Sequence, residues 1–303
     1  MAHGRVLAMG CVDFVRRLWL RLFGIRSRTI QTAQGRLRLL EVTGSGPLPP
    51  ILLVHGLSAS AVDWGPVIRK LRRHHQRVRA IDLPGHGRSD PPEDGMGMAP
   101  MRDMLTEAAE AFLEEPQIIM GNSLGGLAAV RLAGRKPENT LALVLISPGG
   151  TPVPQSDLAI LLDRFQMDSW AKALAFLHAL MGGPHRRRLD LVWGIRARAA
   201  RPSIQALIAR ISRDDLLTPE ELSTLSMPVL LYWGQDDEIL PRPHLEWYRT
   251  HLPEHTEVHT PAGMGHAPFM DSVGGFLEPV LEFCRRLPHA DQRPGYSPSS
   301  IQK

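Results

Sequence analysis

At 303 residues, with 43% hydrophobic and 22% charged side chains, the chain is long enough to bury a full core, as one domain with an insertion or as two, and fibrous, collagen-like and disordered classes are excluded. The formal charge of +4 comes from arginines spread along the sequence, with lysine only at Lys70, Lys136, Lys172 and Lys303; no RNA-binding aromatic signature or helix-turn-helix pattern accompanies them, so no nucleic-acid partner is expected. Two cysteines, Cys11 and Cys284, cannot form a disulfide framework and lie in no CxxC pair, so a cytoplasmic, reducing compartment and no structural zinc are the expectation.

Residues 1–28 form a basic N-terminal extension. Leu7, Cys11, Phe14, Val15, Leu18, Leu22 and Ile25 recur at helical spacing, interrupted by Asp13, Arg16, Arg17 and Arg21. No clear small-residue cleavage site follows, so the segment does not read as a signal peptide, and no apolar stretch in the chain reaches the ~20 residues of a membrane-spanning helix. Peripheral membrane contact is one reading of such a basic amphipathic helix; packing on its own domain or covering a cleft are the others. From residue 29 strands and helices alternate. Residues 29–42 read as a hairpin turning at Gly35, 51–54 as a buried strand, 63–74 as a helix and 77–82 as a strand. A helix over 98–113, a strand over 117–120, a small-residue-rich helix over 124–134 and a strand over 141–147 complete the first part, 29–150. Within 151–226 the patterns are helical only (157–166, 170–181, 189–199, 203–211). Alternation resumes over 227–287, with strands at 228–233 and 256–260 and helices at 243–252 and 275–287; the polar tail 288–303 is expected to be disordered. The fold class this order predicts is α/β: a mostly parallel, doubly wound sheet with an inserted helical cap.

Gly121-Asn122-Ser123-Leu124-Gly125 lies directly after an apolar strand and directly before a helix. A turn this sharp needs small residues two before and two after the serine, and it sets the hydroxyl at a helix N-terminus that favours developing negative charge. A serine nucleophile needs a base. Among the 13 histidines, His266 stands in the glycine-rich loop Gly263-Met264-Gly265-His266 after the strand at 256–260, where open α/β sheets bind ligands. The base needs an orienting carboxylate, and the loop after 228–233 offers Asp236, Asp237 and Glu238. The chain order serine, acid, histidine is the one that accompanies a G-x-S-x-G elbow. Oxyanion stabilisation requires two preorganised donors, assigned to the backbone N–H groups of Leu124 and Leu57; His55 is expected to brace the loop of Leu57 rather than to react.

With Val54-His55-Gly56, the run from Asp82 to Ser89 (DLPGHGRS), Gly121-x-Ser123-x-Gly125-Gly126, Gly234-x-x-Asp237-x-x-x-Pro241 and Gly265-His266, the chain resembles the cap-bearing members of the α/β-hydrolase superfamily over 29–287, excluding the cap. The resemblance selects Asp237 as the acid and implies catalysis by Ser123, Asp237 and His266 without a metal or organic cofactor. Serine at the nucleophile position departs from haloalkane dehalogenases and epoxide hydrolases, which carry aspartate there. Leu124 departs from cofactor-free haloperoxidases, and Ala267 from carbon–carbon bond hydrolases that place tryptophan after the histidine. The resemblance therefore implies an esterase or lipase-like enzyme acting on a small-molecule carboxylic ester of small to medium size, with carbon–carbon or amide bond hydrolysis, or a catalytically silent scaffold, as alternatives. Leu161, Phe165, Trp170, Leu174, Phe176, Leu177 and Trp193 are candidates for pocket or packing positions in the cap, and Arg186, Arg187 and Arg188 for contact with an acidic substrate or for a solvated face.

Overall fold

The computed structural model describes residues 20–182 and 189–287. The expectations for most of the N-terminal segment, for Arg186, Arg187 and Arg188 and for the tail 288–303 lie outside these residues. Eight strands form a single sheet in the order β1-β2-β4-β3-β5-β6-β7-β8. They are β1 (Arg26–Thr32), β2 (Gly35–Thr43), β3 (Ile51–Val54), β4 (Arg77–Asp82), β5 (Gln117–Asn122), β6 (Thr140–Ile146), β7 (Val229–Tyr232) and β8 (Glu257–His259). β1 and β2 make the expected hairpin, with Gly35 at φ 128° in its turn, and β2 runs antiparallel to β4; every pairing from β4 across to β8 is parallel.

Successive residues of the central strands serve opposite cores. Leu52, Val54 and Ile119 belong to one buried cluster, while Ile51, Leu53, Ile118 and Met120 belong to the other. That is why these strands are apolar throughout rather than alternating. The first cluster lies with helices α2 (Met98–Ala109) and α3 (Leu124–Arg135); the second is closed by α1 (Gly65–Leu71) and by α11 (Val273–Arg286).

Between β6 and β7 the chain forms α4 (Gln155–Asp163), α5 (Trp170–Leu180), α6 (Leu189–Ala199), α7 (Pro202–Ile208) and α8 (Pro219–Ser223), and no strand among the described residues. This cap is tied to the core by polar contacts. Ala267 N–H donates to Leu180 O (3.2 Å), Leu217 N–H to Gly150 O (2.8 Å) and Ser203 Oγ to Gly85 O (2.6 Å). α9 (Arg242–His251) and α10 (Pro268–Asp271) complete the element order. No helix among the described residues is long and apolar enough to cross a membrane.

Two departures from the sequence reading have local causes. The single helix expected over 63–74 is a 3₁₀ turn, Ala61–Trp64, followed by α1. Ser60 N–H donates to Asp63 Oδ2 (2.9 Å) and closes the turn, and Pro66 sits in the first turn of α1, where its missing N–H leaves no hydrogen bond unmade. α8 and α10 escape the pattern because a single proline-opened turn is too short to display a helical period.

The second buried histidine after β2, His75, donates from Nδ1 to Pro49 O (2.7 Å). Burial pushes its pKa down from 6.5 to about 4. As pH falls through that interval the unfolded chain takes up a proton that the folded chain refuses. This residue alone therefore lowers stability by about 1.4 kcal/mol per pH unit between about pH 6.5 and about pH 4, and no further below that. Denaturant unfolding at several pH values should show the acid-side slope reduced by that amount in His75→Gln, whose amide still donates to Pro49 O.

Candidate active site

β5 ends in a turn whose geometry is set by close backbone approach. Ser123 adopts φ 55°, ψ −123°, a conformation costly for any residue bearing a Cβ. Its backbone is fixed on both sides: Ser123 N–H donates to Ile146 O (3.1 Å), and Ser123 O accepts from Gly126 (2.8 Å) and Gly149 (2.9 Å). The flanking glycines are required by space. A Cβ on Gly121 would lie 2.2 Å from Gly125 O, and one on Gly125 would lie 2.3 Å from Val54 O. The turn thereby lifts Ser123 out of the sheet to the start of α3.

The loop after β7 presents Asp237 and the loop after β8 presents His266, both buried. His266 Nδ1 donates to Asp237 Oδ2 at 2.8 Å. The other oxygen, Asp237 Oδ1, accepts the N–H groups of Ile239 and Leu240, each at 2.9 Å, so the carboxylate cannot rotate away from the ring. With the proton on Nδ1, Nε2 of His266 is left as an acceptor, and it is buried with no partner. His266 and Ser123 share the wall of a cavity of about 650 Å³. Asp236 does not join the site; its N–H donates to Met264 O (2.9 Å) and helps hold the loop of His266.

His55 follows β3. Its Nε2 accepts from Leu83 N–H (3.0 Å), so its proton resides on Nδ1, which donates to Gly56 O (2.8 Å). Burial lowers its pKa against the opposing pull of Asp82, keeping this neutral tautomer. Fixing the Gly56 carbonyl fixes the peptide plane and turns the Leu57 N–H the opposite way. Gly56 abuts the serine: a Cβ there would lie 3.1 Å from Ser123 Cβ. Neither Leu57 nor Leu124 has a backbone N–H acceptor among the described residues. The structure thus brings Ser123, Asp237, His266, Leu57 and Leu124 to one end of the parallel strands. Of the cap residues singled out from sequence, Phe165 and Phe176 line the cavity, Leu161 lines a neighbouring one, Leu177 is buried in the core, and Trp170 and Trp193 are exposed. Among the described residues, no cluster of histidine, cysteine and carboxylate side chains could hold a metal ion.

Three further residues organise the site, none of them singled out by sequence pattern. Asn122 donates from Nδ2 to both Ile146 O and His266 O, each at 3.0 Å, tying the serine turn to the histidine loop. Asp271 Oδ2 accepts Gly265 N–H (2.8 Å). Arg198 of α6 reaches from the cap, donating to Ser58 O (3.0 Å) and pairing with Asp63 (3.5 Å). Asn122 occupies the variable second position of the glycine–serine motif, and only the conjunction of its two carbonyl partners identifies its role. Asn122→Ala strips a donor from two buried carbonyls and should cost about 1–3 kcal/mol in urea unfolding.

A sequence model of the Alpha/beta hydrolase family matches residues 51–278. Pimeloyl-[acyl-carrier protein] methyl ester esterase of Nitrosomonas europaea is 30% identical over 253 residues, which are 78% of this chain and 96% of that protein. Among solved structures, a membrane phospholipase A described as a bacterial virulence factor superposes with a TM-score of 0.75 at 26% identity, covering 93% of each chain. The 2-hydroxy-6-oxo-6-phenylhexa-2,4-dienoate hydrolase of a Rhodococcus species has the same fold, with a TM-score of 0.75 at 23% identity over 86% of this chain and 99% of that one.

Proposed function

The chain belongs to the alpha/beta hydrolase family, and from that premise we propose that it is a serine hydrolase of carboxylic esters, with Ser123 as nucleophile, His266 as base and Asp237 as the residue orienting the base. The observation that carries the reading is the 2.8 Å bond from His266 Nδ1 to Asp237 Oδ2, with the unpartnered Nε2 on the cavity it shares with Ser123. A ligand-binding scaffold has no physical need for a strained serine, an orphaned imidazole nitrogen and a clamped carboxylate together. The similarity to methyl ester esterases supports an ester as the bond broken.

In the first half-reaction Ser123 Oγ bonds to the ester carbonyl carbon while its proton passes to His266 Nε2. The N–H groups of Leu57 and Leu124 donate to the resulting oxyanion; losing one such donor typically costs on the order of 10²–10³ in rate. The C–O bond to the alcohol then breaks, and His266 returns the proton to the departing oxygen. Water repeats the sequence on the acyl-enzyme, giving up its proton to His266, and the carboxylic acid leaves as Ser123 recovers its own. Asp237 stays ionised throughout and stabilises the imidazolium.

A fluorophosphonate probe should label the peptide containing Ser123 in the wild type and not in Ser123→Ala; a folded protein that fails to label would overturn the assignment. Asp237→Asn should preserve the fold, because the amide oxygen can still accept from Ile239 and Leu240. It should nevertheless lower kcat on a good ester substrate by on the order of 10⁴, since Nδ1 loses its ionised partner. Acyl esters, peptidyl amides and vinylogous diketones assayed side by side discriminate the bond cleaved: turnover of the diketones alone would replace ester hydrolysis by carbon–carbon hydrolysis.

A further inference from the structure

Ser123 lies in the walls of two cavities, both mostly apolar, which differ in whether His266 and a charged pair take part. The first, of about 650 Å³, holds His266 together with Asp63 and Arg198 in its wall. The second, of about 580 Å³, reaches Ser123 without touching His266 and is walled by Leu124, Leu127, Leu158, Leu162, Ile239 and other residues mostly apolar. Leu57 and Phe165 stand in both walls. A third cavity, of about 430 Å³, shares Met98, Leu124 and Leu127 with the wall of the second and is lined by α2 and α3.

The shape of this continuation follows from helix geometry. Leu124, Leu127, Ala128, Arg131 and Leu132 of α3 line it at i, i+3, i+4, i+7 and i+8, one face of the helix. Met98, Met101, Arg102, Leu105 and Thr106 repeat the same spacing on α2. From Leu124 to Leu132 the axial rise is about 12 Å, the length of a slot adjoining the second cavity, with Arg102 and Arg131 among the residues that line it. Arg131 is held by Glu221 (2.8 Å), so the apolar floor is not disturbed by a free charge from that side.

Proton delivery decides which substrate half enters which cavity. His266 Nε2 must reach the departing oxygen, so the leaving group lies on the side of the first cavity. The acyl carbon is bonded to Ser123 Oγ, and its chain must then use the space that Ser123 shares without His266. The linings add a difference of degree: the Asp63–Arg198 pair, 3.5 Å apart, brings a polar group into the otherwise mostly apolar first wall, whereas the acyl side offers aliphatic and methionine side chains that adapt to a flexible chain.

We propose that the substrate is an ester of a linear aliphatic acid of medium to long chain length, its chain threaded from Ser123 past Leu127 into the slot between α2 and α3, and its small or polar alcohol held on the side of His266. The inference rests on the reading of Ser123 as the nucleophile of an ester hydrolase. Leu127 and Ala128 set the chain length accepted: Leu127 lines both the second and third cavities, and Ala128 only the third.

The test is kcat/KM of the full-length protein on methyl esters from acetate to dodecanoate, with Ser123 labelling by a fluorophosphonate in the same samples. Each buried methylene should raise kcat/KM by about fourfold until the slot is filled. Leu127→Trp and Ala128→Phe should stop the rise sooner, lowering the decanoate-to-butyrate ratio by at least about tenfold. Ala128 is half-buried, so its variant keeps the test available should the buried Leu127 not tolerate the larger ring. Methyl decanoate and its isomer nonyl acetate place the same chain on opposite sides of the carbonyl; the decanoate should be preferred by about tenfold or more. An optimum at acetate, a preference for nonyl acetate, or variant profiles parallel to the wild type would overturn the acyl assignment while Ser123 still labels. Absence of both labelling and turnover would instead remove the ester-hydrolase reading on which it rests.

Discussion

The constraint on which the site depends is the passage of β5 into α3 through Ser123. The backbone there is strained, at φ 55°, and it persists because neighbours on every side over-determine it. Gly121 meets the carbonyl of Gly125, Gly125 meets that of Val54, and the carbonyl of Ser123 is taken by Gly126 and Gly149. No side chain fits in these contacts, so the two glycines are fixed by sterics rather than by flexibility. The outcome is a hydroxyl beyond the C-terminal end of a central strand, at the N-terminus of α3.

Around this turn the remaining groups are held by one bond between loops of different strands and by bonds within their own loops. Asn122 ties the serine turn to the carbonyl of His266; Asp237 is locked by its own loop; His55 sets the peptide plane that carries the Leu57 N–H. His266, Asp237 and the Gly56–Leu57 peptide are thus each fixed in orientation by a hydrogen-bond partner. Preorganisation of this sort lets donors act on developing charge without rearranging when the reaction occurs.

The cap is part of the same device. Arg198 donates to the carbonyl of Ser58, a residue at φ 60° in the loop that supplies the Leu57 N–H, and Leu180 accepts from Ala267 beside the histidine. The cap thus contacts both the loop of Leu57 and the histidine loop, and it roofs the cavities on either side of Ser123. The sequence pattern of this stretch announces helices without announcing what they cover.

The architecture was legible because its signals are local. Strands covered on both faces must be apolar throughout, and the runs at β3, β5 and β6 could hardly be anything else; the helix-only stretch between β6 and β7 broke the alternation visibly. Ser123, His266 and the acid loop each follow a strand, so their places at one end of the sheet followed once the strands were read as parallel. Asn122, Asp271 and Arg198 were not legible, because their partners lie 144, 6 and 140 residues away and nothing in their own neighbourhoods marks them. The same holds for the two cavities at Ser123. Sequence by itself determined the fold class and the residue types able to react, since these depend on short-range periodicity and on sterics within a few residues. Only the tertiary structure decided which carbonyls Asn122 joins, how Asp237 is clamped and where space opens beside Ser123, since a distance between residues remote in the chain exists only once the chain has folded.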